Sequence, residues 1–185
     1  MNSENNNKDL QATFDSSGGE SKLNQTKRSY AHEGDGNVVD QLHSILGQSE
    51  TGNELLGNAK TNNVVVNVVK NSPACIYSPV DRKIYVGLPK DAQEAPVRLA
   101  LSFASALRDS EHSAMGYDIP EEGSMDAAER ASIIHTKEID KMIYQFKVAY
   151  ELANHANMHE AVDVIKKMGY SDAYEVYVSE RESSE

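Results

Sequence analysis

The chain has 185 residues, a formal net charge of −11 and one cysteine. No run of Lys or Arg is longer than two residues. Such an acidic chain argues against binding to nucleic-acid phosphates or to an anionic membrane surface, so we expect neither as a partner. One cysteine allows no intramolecular disulfide, and we expect Cys75 to be a small apolar residue in a strand.

Residues 1–36 are rich in Asn, Ser, Gly, Glu and Lys and poor in apolar side chains. This segment buries too little apolar surface to offset the entropy of ordering, so we expect a disordered tail. It lacks a signal-peptide pattern, and no apolar run approaches the length of a membrane helix. We therefore expect cytoplasmic synthesis. The Ser- and Asn-rich start is also compatible with export by a specialised secretion system.

The next part of the chain changes from helical to strand periodicity. Apolar side chains in residues 37–57 predict a short amphipathic helix ending near Gly47, then an apolar turn closed by Gly57. The following runs are β-branched or alternate between polar and apolar residues. They predict a small antiparallel sheet, closed by a hairpin between its last two strands. The three predicted strands are 62–70, 74–78 and 82–88.

The C-terminal half is predicted to be helical. Residues 97–109 are apolar almost all the way round, and between Arg98 and Arg108 only two serines interrupt them, so we expect a central helix buried on all sides. A loop over 110–128 leads to a longer helix. The remaining predicted elements are a helix over 129–154, a helix over 157–168 stopped by Gly169, a last short element and a frayed tail over 181–185. We expect one α+β domain spanning 37–180.

Two helical segments carry a resemblance to a known family. They are "RLALSFASALRD" (98–109) and "KEIDKMIYQFKVAYELA" (137–153), the second with Glu138, Asp140 and Gln145 in register. With the preceding strands they resemble small bacterial zincin-type metallopeptidases, in which a buried H-E-x-x-H helix follows a strand and a longer helix supplies an acidic ligand. The resemblance covers roughly residues 62–170. It implies a zincin-like fold.

The chain departs from that family at the residues that do the chemistry. Where the family has His, Glu and His, this chain has Leu101, Ser102 and Ser105. Leucine cannot bind zinc, and serine hydroxyls are poor zinc ligands. Of the family's ligand set only a carboxylate remains, Glu138 or Asp140, and one carboxylate cannot hold a catalytic zinc. The resemblance therefore implies a pseudo-peptidase without a cofactor. The alternative is an unrelated α+β domain, whose serines let another helix approach closely.

Other residues offer a different metal site. His135 and Glu138 have the H-x-x-E spacing of carboxylate-bridged metal helices, and His112 could join them around a Zn²⁺ ion. Alternatively, His112 lies at a helix C-terminus and interacts with the helix dipole. His155 and His159 also have helical ligand spacing, but neighbouring Asn residues indicate a helix break there.

We therefore expect a catalytically inactive, metallopeptidase-like domain that binds a protein partner. Tyrosine is plentiful, with nine residues against three Phe and no Trp. Tyrosines favour interfaces, although several are expected to complete the core instead. The alternative function is a metal-dependent hydrolase or peptidase whose ligands have moved to His112, His135 and Glu138.

Overall fold

The computed structural model describes residues 10–13, 33–70, 72, 75–88, 96–119 and 123–184. Within these ranges the chain is a mixed α+β structure, as predicted. The strands are β1 (Leu10–Thr13), β2 (Val65–Lys70), β3 (Cys75–Ser78) and β4 (Lys83–Leu88). The helices are α1 (Glu33–Leu46), α2 (Glu50–Thr61), α3 (Pro96–Ala114), α4 (Ala127–His155), α5 (Glu160–Ile165) and α6 (Ser171–Glu182).

The sheet has the strand order β1-β2-β4-β3. β3 and β4 form the predicted antiparallel hairpin, with Ile76 opposite Tyr85. β2 and β4 are parallel, however, with Val66 opposite Ile84, so the prediction of an antiparallel sheet was wrong. The hairpin folds back so that its second strand lies beside β2. Local alternation cannot distinguish this arrangement from an antiparallel meander, because both bury the same side chains.

Helices α1 and α2 lie between β1 and β2 in the chain. α1 ends at Leu46, as expected. Ser49 caps α2: its hydroxyl accepts a hydrogen bond from the Gly52 backbone N–H at 2.9 Å. α2 continues through Gly57 to Thr61, so that glycine does not close the turn as predicted. A helix tolerates one interior glycine at modest cost when neighbouring elements bury its apolar face.

Helix α3 is the centre of the molecule. It packs against α1, α2, α4, α5, β3 and β4. Leu101, Phe103 and Leu107 are fully buried, whereas Leu99, Ser102 and Ser105 are half-buried. The prediction of a central helix is confirmed, but burial on all sides is not, because Arg98 is exposed and Ser102 and Ser105 are half-buried. The helix is longer than expected, however, and continues through Ser110 to Ala114, which were assigned to a loop.

The C-terminal helices pack back on α4. α4 ends at His155, and Asn157 has a positive φ of 56° before α5 begins, so His155 and His159 lie on different elements. A π-type turn (Lys166–Tyr170) joins α5 to α6. Gly169 there has φ 87°, the left-handed conformation expected of a glycine that stops a helix. α6 extends to Glu182, into the segment predicted to fray.

Part of the N-terminal prediction lies outside the described residues. Of residues 1–36, the structure describes β1, which pairs with β2 in antiparallel fashion, and the first turn of α1. No helix within the described ranges is both long and apolar enough to cross a membrane.

Candidate functional site

The positions of the missing H-E-x-x-H motif lie in the middle of α3. Leu101 is fully buried, and Ser102 and Ser105 are half-buried. The α4 side chain opposite Leu101 is Gln145, whose Nε2 donates a hydrogen bond to the Leu101 carbonyl oxygen at 3.1 Å. An amide that binds the helix backbone therefore occupies the place facing this part of α3.

The two candidate carboxylates of α4 have different surroundings. Asp140 points to α3, where its Oδ2 accepts hydrogen bonds from Arg108 Nε at 2.6 Å and pairs with His112 Nε2 at 2.8 Å. The Glu138 side chain is 61% exposed and pairs with Lys141 at 2.6 Å. Asp140 is thus the inward carboxylate. Its partners, Arg108 and His112, lie one and two turns beyond Ser105.

Asp140 belongs to a larger set of charged groups, here called the α3–α4 cluster. Its members are Arg108, Asp109, Glu111 and His112 of α3 and Lys137, Asp140 and Lys141 of α4. Glu111 is buried, and its Oε2 accepts from Arg108 Nη1 at 2.7 Å. Its Oε1 accepts from Asn58 Nδ2 at 2.5 Å, which ties α2 to the cluster. The cluster therefore joins three helices through buried charge-assisted hydrogen bonds.

Arg108 is the main cation of the cluster. Burial alone would lower the pKa of its guanidinium, but hydrogen bonds to Asp140 and Glu111 outweigh that effect and raise it. The guanidinium also lies 4.0 Å from the ring centroid of Tyr144, a favourable cation–π distance. The same pairing lowers the pKa of Asp140, because burial, which raises it, is outweighed by hydrogen bonds from Arg108 and His112. Arg108 and Asp140 therefore stay charged near neutral pH.

Asp109 has a second set of partners. Its Oδ1 lies 3.0 Å from Lys137 Nζ and 3.9 Å from His112 Nδ1. Burial would raise the pKa of this carboxyl, but the His112 ring, Lys137 and the charge of Lys141 outweigh it and lower the pKa to about 2. Since His112 Nδ1 is too distant for a good hydrogen bond, Lys137 is the stronger partner.

The geometry of the α3–α4 cluster suits the fastening of helices better than catalysis. Each described carboxylate of the cluster already faces a cation or a strong donor. Asp140 lies beside the guanidinium of Arg108, so a metal ion there would meet a fixed positive charge. The arrangement holds α2, α3 and α4 in register.

The alternative metal ligands are placed differently from what their spacing suggested. His112 pairs with Asp140, Glu138 pairs with Lys141, and His135 is exposed on α4. Among the residues that the structure describes, no group of three or more His, Cys, Asp or Glu side chains could hold a metal ion.

A feature missed in the sequence lies at the end of α3. The Tyr117 N–H donates to the His112 carbonyl at 2.8 Å and the Gly116 N–H to the Ser113 carbonyl at 3.0 Å, with φ 81° at Gly116. This is a Schellman motif, which fixes the path of the chain after the helix. It holds three large apolar side chains in solvent: Met115, Tyr117 and Ile119 are 52%, 61% and 43% exposed. These three residues are called the α3 exit loop. The signal for it was Gly116 directly before the large side chain of Tyr117.

The predicted interface tyrosines are largely packed. Tyr170, Tyr174 and Tyr177 surround Phe146 with ring centroids 5.5–6.1 Å apart. Burial, with smaller effects from Tyr177 and Tyr150, raises the pKa of Tyr174 to about 12. These rings hold α6 on α4, which agrees with the expectation that several tyrosines complete the core.

Cys75 lies in edge strand β3 and is a half-buried free thiol. Burial raises its pKa to about 12, against a smaller opposing effect of a hydrogen bond with the Gly87 backbone. It is therefore a protonated strand residue near neutral pH, and not an activated nucleophile.

Comparison with known proteins adds no family to this description. The sequence matches no protein-family model, and no curated protein and no solved structure matches it significantly. The class that fold and site define is therefore a mixed α+β domain with a buried central helix and an interhelical charged cluster.

Proposed function

We propose that this protein is a non-catalytic, zincin-like domain that binds a protein partner. The zincin-like part is supported by the order of elements. Strand β4 leads to buried helix α3, which runs antiparallel to the longer α4, since Leu101 contacts Gln145 and Asp109 contacts Lys137. The non-catalytic part is supported by Leu101, Ser102 and Ser105, which offer no zinc ligands.

The observation that carries the binding role is the α3 exit loop. Three large apolar side chains lie in solvent within five residues of chain, and grouped exposed apolar side chains mark interaction sites. A tyrosine held by a helix cap loses little conformational entropy on binding, and Tyr is enriched among the residues that dominate interface energies. Tyr117, flanked by Met115 and Ile119, meets both conditions.

Site-specific photo-crosslinking in the producing cells tests this function. A benzophenone amino acid replaces Tyr117, and a matched variant carries it at Val176, an exposed apolar residue of α6 that is 63% exposed. We expect a discrete protein adduct from position 117, identified by mass spectrometry, that is absent from position 176. The same adducts from both positions, or none from position 117, would contradict a binding role for the loop.

A further inference from the structure

The chain around the α3 exit loop is acidic. Between Asp109 and Glu129 the sequence has seven Asp or Glu residues and neither Lys nor Arg. Asp109 and Glu111 are neutralised within the α3–α4 cluster. Asp118 in the loop and Glu129 in the first turn of α4 are exposed. The apolar side chains of the loop therefore lie near exposed carboxylates, and residues 109–129 contain no Lys or Arg to balance that charge.

The acidic residues and the loop lie at the same end of the α3–α4 pair. Asp109 near the end of α3 contacts Lys137 and Lys141, so the part of α4 before Lys137 projects toward the end of the helix pair where the loop lies. That projecting part begins with Asp126, which caps the helix through the Ala128 N–H at 2.6 Å. Acidic residues suit a helix N-terminus. This accounts for Asp126 and Glu129, but not for Asp118 beside Tyr117.

We propose that the α3 exit loop binds a basic, amphipathic segment of a partner protein, one that carries Lys or Arg beside large apolar side chains. The inference rests on the proposed binding function and specifies its partner. Apolar side chains of the segment would cover Met115 and Ile119. A Lys or Arg would lie over the exposed ring of Tyr117 or beside Asp118, where ring and carboxylate both favour a cation. A partner with acidic side chains would meet repulsion from Asp118 and Glu129.

Fluorescence anisotropy with three labelled peptides tests the partner chemistry on the full chain. The first peptide is an amphipathic helix of Leu and Lys, the second replaces each Lys with Glu, and the third replaces each Leu with Ser. We expect the Leu/Lys peptide to bind at least about tenfold more tightly than either of the others. We expect Tyr117→Ser and Asp118→Lys each to weaken its binding by about tenfold, and added salt to weaken it further.

The control pair separates a site from the general negative charge of the protein. Glu175→Lys and Val176→Ser change exposed residues of α6 in the same way. Equal losses in the control and loop variants would overturn the proposal, because binding would then follow net charge alone. Preference for the Leu/Glu peptide would also overturn it. So would self-association in sedimentation velocity that Tyr117→Ser abolishes, because the occupant would be a second copy.

The two experiments distinguish a failure of the proposed binding function from a failure of the proposed partner chemistry. If position 117 gives a cellular crosslink while the Leu/Lys peptide shows no preference, the loop binds proteins but the basic partner is wrong. If neither experiment gives a signal at Tyr117, both proposals are wrong. The thermal unfolding of Tyr117→Ser should match that of the wild type, since the side chain is mostly exposed.

Discussion

Single residues of the α3–α4 cluster show how buried charge is kept ionised. Arg108 lies between Asp140 and Glu111, and its hydrogen bond, with that of His112, outweighs burial and lowers the pKa of Asp140. Asp109, near the end of α3, is instead stabilised in its charged form by Lys137 of α4. The chemistry of such groups follows their neighbours across the helix pair. The spacing of these residues along the chain does not predict which charges pair.

Asp109→Asn is expected to lower stability in a pH-dependent way. The pKa of Asp109 is about 2 in the folded state against 3.8 for the free side chain. Its ionised form therefore stabilises the folded state fully above about pH 4, and this contribution is lost as pH falls toward 2. After allowance for solvent screening, we expect the variant to lose about 1 kcal/mol of unfolding free energy at pH 7.

Urea unfolding followed by circular dichroism across a pH series measures this effect. The difference between wild type and Asp109→Asn should shrink between pH 4 and 2, in step with the pKa of Asp109. Asp118→Asn, at an exposed loop position, should show little difference at any pH. A constant difference down to the lowest pH would mean that the amide is tolerated badly for steric reasons, and the pairing argument would be wrong.

At the scale of the elements, two glycines of α2 have opposite surroundings. Gly52 is buried against the end of α1, where a Cβ would overlap the carbonyl oxygen of Leu46. The Glu151 carboxylate of α4 accepts hydrogen bonds from the Thr51 N–H at 2.8 Å and hydroxyl at 2.7 Å beside it. Gly57, one turn further along α2, has open space where its Cβ would lie.

Alanine substitutions at these glycines should have opposite signs. Gly52→Ala should destabilise the protein by about 2 to 3 kcal/mol, because α1 and α2 must separate to admit the methyl group. Gly57→Ala should stabilise it by about 0.5 to 1 kcal/mol through helix propensity. Thermal unfolding of both variants beside the wild type measures the contrast. Equal effects of either sign would show that the α1–α2 approach is not tight.

At the scale of the molecule, the central helix of an α+β core leads into an exposed apolar loop. α3 is buried between the sheet and the other helices, and the α3–α4 cluster lies toward its C-terminal end. The α3 exit loop follows directly, so a helix packed against six other elements leads into three exposed apolar side chains. Such placement on a rigid element suits a binding surface.

We expect the purified, tag-free protein to carry no stoichiometric zinc. His112 and Asp140 bind each other beside Arg108, and Glu138 binds Lys141, so each would have to give up a partner to bind a metal. Elemental mass spectrometry of the wild type, His112→Ala and Glu138→Ala measures this. About one zinc per chain that is lost in both variants would contradict the expectation and favour the relocated-ligand hydrolase.

Much of the fold was open to prediction because it depends on local periodicity. The apolar surface of 97–109 indicated the buried α3, and alternation indicated β3 and β4. The position of Gly169 indicated a helix stop. Each of these signals reports which side chains are buried or which backbone conformation is allowed, and both are properties of neighbouring residues.

The pairings between distant parts of the chain were decided by tertiary structure. Parallel β2 and β4 bury the same faces as an antiparallel pair would. Residues 110 to 114 were predicted as part of a loop but are helical, and His112 among them pairs with Asp140, about thirty residues away. The partner of a charge depends on packing, so its role cannot be taken from spacing alone. Thus the sequence by itself determined which segments are buried, and only the tertiary structure decided what they are paired with.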